Sequence, residues 1–234
     1  MTDPRAIVAE NVARVRERIA AAAVAAARDP TAVQLVAVCK YVDALTAAAL
    51  VTAGCRDLGE SRPQELWEKA ANPELAGMRW HLVGRLQRNK VRRTLPLATL
   101  IHSVDSERLL AAIDEQAASL GLTPRVLLEV NCSGEAAKQG FPADDIGGVI
   151  SSLDRFPHLC VAGLMTMAPL AGDATAARRC FAALRELRDE LAGALPPNAA
   201  LAELSMGMSG DFEAAIAEGA TFVRIGSLLF EGLI

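Results

Sequence analysis

Eight short apolar runs, each followed by a longer segment of helical patterning, constrain this 234-residue chain more than anything else in it. In order they are Gln34 to Cys39, Arg56 to Gly59, Met78 to Val83, Leu100 to Val104, Arg125 to Val130, Leu159 to Met165, Leu201 to Met206 and Thr221 to Ile225. Helix signals sit between them: Asp43 before Ala44 to Val51, Ser106 with Glu107 before Leu109 to Leu120, and Asp173 before Ala174 to Leu191. A side-chain oxygen at such a position satisfies amides that the start of a helix leaves free. Strand and helix in alternation mean parallel strands with crossover connections. Eight units fit a closed α/β barrel, the (β/α)8 TIM barrel, better than an open sheet. An open doubly wound sheet remains the structural alternative, because periodicity does not show closure.

Ahead of the first run, Val8, Val12, Val15 and Ile19 fall on one stripe of residues 5 to 28, with Arg14, Arg16, Glu17 and Arg18 off it, which is the pattern of a leading surface helix. No Pro/Gly/Ser-rich linker divides the chain, so residues 1–234 are expected to form a single domain. With 52% hydrophobic residues the chain has ample material for a buried core.

Several function classes fall away. The formal net charge is −4 and the arginines are dispersed, which leaves no electrostatic footprint for nucleic acid. Cys39, Cys55, Cys132, Cys160 and Cys180 are odd in number and form no C-x-x-C, so they read as small core residues in a reducing compartment. The Ala-rich stretch from Ile19 to Ala27 is too short to span a bilayer, and the first residues lack a basic segment followed by an apolar one. A cytoplasmic protein, acting as a monomer and away from membranes, is expected.

In a parallel barrel the reactive side chains come from the C-terminal ends of the strands. Lys40 directly follows the first run, in a chain with only four lysines, Lys40, Lys69, Lys90 and Lys138, among 24 basic residues. Arginine stays protonated, whereas a lysine that loses its proton can attack a carbonyl and form an imine. The alternative is an ion-pair lysine at the rim. After the seventh run comes Ser205-Met206-Gly207-Met208-Ser209-Gly210-Asp211, and after the eighth Arg224-Ile225-Gly226-Ser227. Loops after strands seven and eight are the recurrent phosphate site of this architecture, and glycines with hydroxyl residues free amides to face an anion. An ordinary helix cap and a turn with a surface arginine are the plain readings of the two loops. An imine-forming lysine opposite a phosphate cup implies a ligand with both an aldehyde and a phosphate, of which pyridoxal 5′-phosphate (PLP) is the common one.

The stretches Leu35 to Lys40, Gly59 to Leu66, Trp80 to Lys90, Gly163 to Met165, Leu204 to Ser209 and Val223 to Ser227 resemble the YggS/PROSC family of PLP-binding proteins, also called PLP homeostasis proteins. The most specific are W-H-x-x-G-x-L-Q-x-N-K and the pair L-S-M-G-M-S with R-I-G. The resemblance implies an alanine-racemase N-terminal-domain barrel with PLP as a Schiff base on Lys40. It also implies phosphate contacts from Ser205, Gly226 and Ser227, and Arg224 near the pyridine nitrogen. Its implied role is PLP homeostasis, as carrier, buffer or regulator, with PLP-dependent apo-enzymes as possible recipients. Ser61-Arg62 stands where the family commonly has Asn-Tyr, which puts an amide contact to the ring in doubt. Ser227 stands where threonine is frequent and keeps the hydroxyl, and Cys39 replaces a usual serine.

A PLP-dependent racemase or lyase is the competing reading, and a barrel binding another phosphorylated ligand is a third. An arginine beside the pyridine nitrogen keeps its own proton, so the ring becomes a weak electron sink. Racemisation needs acid–base groups on both faces of a carbon, and the racemases of this fold take one from a tyrosine of a further C-terminal domain that this chain, ending at Ile234, is expected to lack. Tyr41, the only tyrosine, is expected to point away from Lys40 because neighbours on a strand alternate. His81 is the most reactive-looking residue left, with a hydrogen-bonded core histidine as its plain reading, and His102 reads similarly. Met165, Met206 and Met208 are expected to pack around the ring. No catalytic set and no metal site are assigned.

Overall fold

The computed structural model describes residues 3–133, 139–169, 173–193 and 195–233. A 22-residue helix, α1 (Pro4–Ala25), opens the chain, with Asp3 accepting a hydrogen bond from the Arg5 amide and Pro4 at its first turn. Val8, Val12, Val15 and Ile19 are its buried stripe, as the periodicity requires.

Eight parallel strands follow: β1 (Gln34–Val38), β2 (Asp57–Glu60), β3 (Arg79–Leu82), β4 (Ala98–Val104), β5 (Arg125–Asn131), β6 (Cys160–Met165), β7 (Ala199–Ser205) and β8 (Phe222–Ile225). Each pairs with its neighbour in sequence, β8 pairs with β1, and β4 pairs with β5, so the sheet closes and the open alternative is excluded. A two-residue bridge, Phe141–Pro142, adds to the edge of β5. The helices α2 (Ala44–Thr52), α3 (Pro63–Ala70), α4 (Val91–Thr94), α5 (Glu107–Leu120), α6 (Ile146–Ser151), α7 (Ala174–Leu191) and α8 (Phe212–Ala217) occupy the connections. Asp43 and Asp173 cap α2 and α7 through the amides of Thr46 and Ala176, each at 2.8 Å. Ser106 does not cap α5; its hydroxyl turns to Asp105, and the helix closes instead at Gly121 in the left-handed region.

Two cores result. The larger lies between barrel and helices and includes Leu58, Trp80, Leu82, Ile101, Leu128 and Val223. The smaller fills the barrel with Val36, Val38, Leu100, Leu127, Ala162, Met165 and Phe222. Gly59 is required by this interior, since a Cβ there would stand 2.9 Å from Val36. No described helix is long and apolar enough to cross a membrane.

Candidate functional site

The site lies at the C-terminal ends of the strands. β1 stops at Val38, so Lys40 stands two residues past it, in a turn that also carries Tyr41. Strand alternation therefore does not separate this pair. Tyr41 does not point away: Lys40 Nζ lies 4.7 Å from the Tyr41 ring centroid, and both residues line the mouth. Among the described residues no ion pair engages Lys40. The ion-paired lysine is Lys69 of α3, buried against Glu60 and donating also to the Cys39 carbonyl at 2.7 Å.

Lys40, Ser61, Arg224, Gly226 and Ser227 line one cavity of about 390 Å³, together with Glu129, Met208, Ser209 and Gly210. That volume lies in the range of small-molecule sites, roughly 300–1,000 Å³. A wider depression of about 840 Å³ lies beside it and shares Arg85 and Gln139 with its rim, but not Lys40. In the same cavity, the loops after β7 and β8 form a cup, the second of them beside the end of β1. The amides of Ser209, Gly210, Gly226 and Ser227 donate to no acceptor among the described residues. A Cβ on Gly226 would come within 3.2 Å of the Val38 carbonyl, so a side chain there would require the two backbones to move apart by a few tenths of an ångström. Clustered free amides with hydroxyls beside them suit a phosphate. The Met208 amide is taken by Asp211 at 2.6 Å, which fixes the loop. Gly84 of the W-H-x-x-G motif packs its bare Cα on Ser61, whose carbonyl a Cβ would meet at 2.3 Å, and this brings the β2 and β3 loops together.

Four other residues named from the sequence lie elsewhere. His81, Ser205 and Met165 are buried inside the barrel beneath the cavity, and Met206 is buried in the outer core. The methionines that reach the mouth are Met167 and Met208. His81 has both ring nitrogens engaged, by Asp57 at 3.0 Å and His102 at 2.9 Å. Ser205 lies between His102 and Arg224. Arg224 is 5% exposed; burial brings its pKa down to about 10 against the opposing charges of Glu129 and Asp211.

Glu129 escaped the sequence reading. It lines the cavity from β5, and burial, with the charge of Asp105, pushes its carboxyl up to about 7 while Arg224 and Arg85 pull the other way. Its signal was present: a lone carboxylate in Leu127-Leu128-Glu129-Val130, on the same face as Leu127.

The Alanine racemase, N-terminal domain family matches residues 8–233. A Pyridoxal phosphate homeostasis protein of Pseudomonas aeruginosa is 42% identical, covering 95% of this chain and 94% of that one. One from Escherichia coli K12 is 33% identical, with 95% of each chain covered. Among solved structures, PipY of Synechococcus elongatus with PLP bound superposes with a TM-score of 0.83 at 36% identity, covering 95% of this chain and 99% of that one. Alanine racemase from Streptomyces coelicolor shares the fold with a TM-score of 0.69 at 18% identity, over 96% of this chain and 58% of the racemase. On this evidence the chain belongs to the family of pyridoxal phosphate homeostasis proteins, built on the alanine racemase N-terminal domain.

Proposed function

We propose that this protein binds PLP as a Schiff base on Lys40 and serves PLP homeostasis in the cytosol, as a monomer that buffers or carries the cofactor to apo-enzymes without a dedicated turnover. The observation that carries the reading is the single cavity in which Lys40 faces the amide cup of Ser209, Gly210, Gly226 and Ser227. When bound, PLP supplies a reactive aldehyde and an electron-withdrawing ring. The chain's own residues hold it at both ends: Lys40 supplies the amine, and the cup supplies amide donors for the phosphate. Arg224 lines the cavity between them with a guanidinium that keeps its proton and can donate to the ring. Ser61 lines the same cavity with a hydroxyl.

An absorbance spectrum tests this. PLP added to the protein is expected to give a visible band, lost on borohydride reduction, with the reduced lysine mapping to Lys40. A band that persists in Lys40→Ala, or a label on Lys69 or Lys90, contradicts the assignment.

A second reading, a PLP-dependent racemase or lyase, draws on Glu129 and Tyr41, two proton-bearing groups at the same cavity. Exchange of amino-acid α-protons into deuterated water decides between them: rapid exchange that Glu129→Gln abolishes favours the enzyme.

A further inference from the structure

A row of polar side chains crosses the barrel interior, and all of them but Arg224 at its end lie outside the function proposed above. It starts on the floor, where Asp57, the first residue of β2, accepts from Arg79 at 2.7 and 2.6 Å and lies 3.0 Å from His81 Nε2. His81 Nδ1 is 2.9 Å from His102 Nε2, and His102 Nδ1 is 2.7 Å from Ser205 Oγ. Arg224 Nη1 donates to Ser205 Oγ at 2.6 Å, and Nη2 donates to the Thr166 carbonyl at 3.0 Å. His81, His102, Ser205 and Arg224 are each 5% exposed or less, so their hydrogen bonds must be made within the protein.

The donors can be assigned in order from one end. Burial raises the Asp57 carboxyl, but the hydrogen bonds from His81 and Arg79 outweigh it and hold it at about 2, so Asp57 only accepts. His81 Nε2 therefore carries a proton, and in the neutral form of that ring, the form the proposed row takes, it is the only one. His81 Nδ1 then accepts, His102 Nε2 donates, and His102 Nδ1 accepts. Burial, with the His81 ring and the Arg224 guanidinium close by, holds the pKa of His102 well below 6.5, which keeps that ring neutral. The proton facing His102 Nδ1 is then that of Ser205, whose oxygen accepts from Arg224. Every bond points the same way, from the mouth to the floor. The Phe222 ring, 5.6 Å from both imidazoles, packs the row from β8.

We infer that this one-way chain couples Asp57 on the barrel floor to the guanidinium of Arg224 at the mouth, making Asp57, His81, His102 and Ser205 positioning residues for Arg224. Two of the arginine's N–H groups are committed to Ser205 and Thr166, which fixes its plane; the others are left for the cavity it lines. A change of charge or donor at Asp57 reaches Arg224 as a reoriented Ser205 hydroxyl. The consequence for a bound cofactor rests on the reading above; the chain itself does not.

Nitrogen-15 NMR of the full-length protein, without ligand, tests the chain. Both His81 and His102 are expected as the Nε2–H tautomer, and Asp57→Asn is expected to shift the His102 ring and Arg224 guanidinium signals, neither of which touches residue 57. A folded Asp57→Asn protein with both signals unmoved overturns the inference, as does an Nδ1–H tautomer on either ring. Should that variant fail to fold, Ser205→Ala replaces it, with the His81 ring as the distant reporter. Adding PLP to the parent should then shift the His102 and His81 signals, a response that Ser205→Ala loses. PLP that colours the protein and moves neither ring removes the coupling and leaves the cofactor reading intact. A protein that PLP does not colour fails that reading, and the ligand-free comparison still decides the chain.

Discussion

On β3, Trp80 and Leu82 face outward into the layer beneath the helices, while His81 between them faces inward with both nitrogens hydrogen-bonded. β2 repeats the contrast with Leu58 outside and Asp57 inside, and β8 with Val223 and Ile225 outside and Arg224 inside. One period-two alternation thus sorts two chemistries. Outward residues meet helices, where filled volume decides stability. Inward polar residues are surrounded by the small apolar core and must find their hydrogen-bond partners across the barrel, and a buried polar group is costly unless its partners are complete. The inner face is therefore a matter of directed bonds, and the outer face of packing.

The hardest break of this contrast is on the outside. Trp80→Ala, at a side chain 3% exposed, is expected to lose about 3–5 kcal/mol in urea unfolding. A loss below about 1 kcal/mol would mean the outer layer collapses around the gap, against the packing account.

Next is the exception on that apolar side, the buried Lys69–Glu60 pair. Lys69→Ala leaves a buried carboxylate and the Cys39 carbonyl without their donor and is expected to cost about 3 kcal/mol. The double change Glu60→Met with Lys69→Met removes both charges and is expected to recover most of that loss. Equal losses for the single and double variants would show that the pair's geometry, not its charge balance, matters.

The inner face is sharpened by pH, because two of its groups shift in opposite senses. Glu129 holds its proton up to about 7 against an ordinary 4.5, so its contribution to stability is full below 4.5 and is lost as pH rises through 7. His102 titrates below its ordinary 6.5, so its contribution is full above 6.5 and is lost as pH falls. Glu129→Gln is therefore expected to gain on the parent between about pH 5 and about pH 8, by up to about 3 kcal/mol. A difference from the parent that stays flat across that range in urea unfolding would place the Glu129 proton elsewhere.

The fold was legible because burial on both sides of a barrel strand leaves unbroken apolar runs, and the caps at Asp43 and Asp173 are local chemistry. The mouth was legible in part. Lys40, Gly226 and Ser227 sit just past strand ends, where position alone predicts exposure to the cavity. Tyr41 was misjudged because β1 ends at Val38, two residues before Lys40, and alternation fails in a turn. The row from Asp57 to Arg224 was not legible as a row. Its bonded neighbours are 19 to 103 positions apart in sequence and are brought together only by closure and register. Each taken singly looks like an ordinary core residue.

The smallest expected effect on stability separates two lysines that composition alone treats alike. Lys69 is 4% exposed and ion-paired, whereas Lys40 is exposed and unpaired among the described residues. Surface substitutions away from packing and ion pairs fall within about 0.5 kcal/mol. Lys40→Ala should therefore unfold with the parent to within about 0.5 kcal/mol, losing only the contact with Tyr41. The same variant should lose the visible PLP band entirely. With PLP present the parent gains whatever binding adds to the folded state, and Lys40→Ala loses the covalent share of that gain. A melting temperature that PLP raises equally in both proteins would mean that the amine is a bystander at the mouth, and that the cup after β7 and β8 does all of the holding.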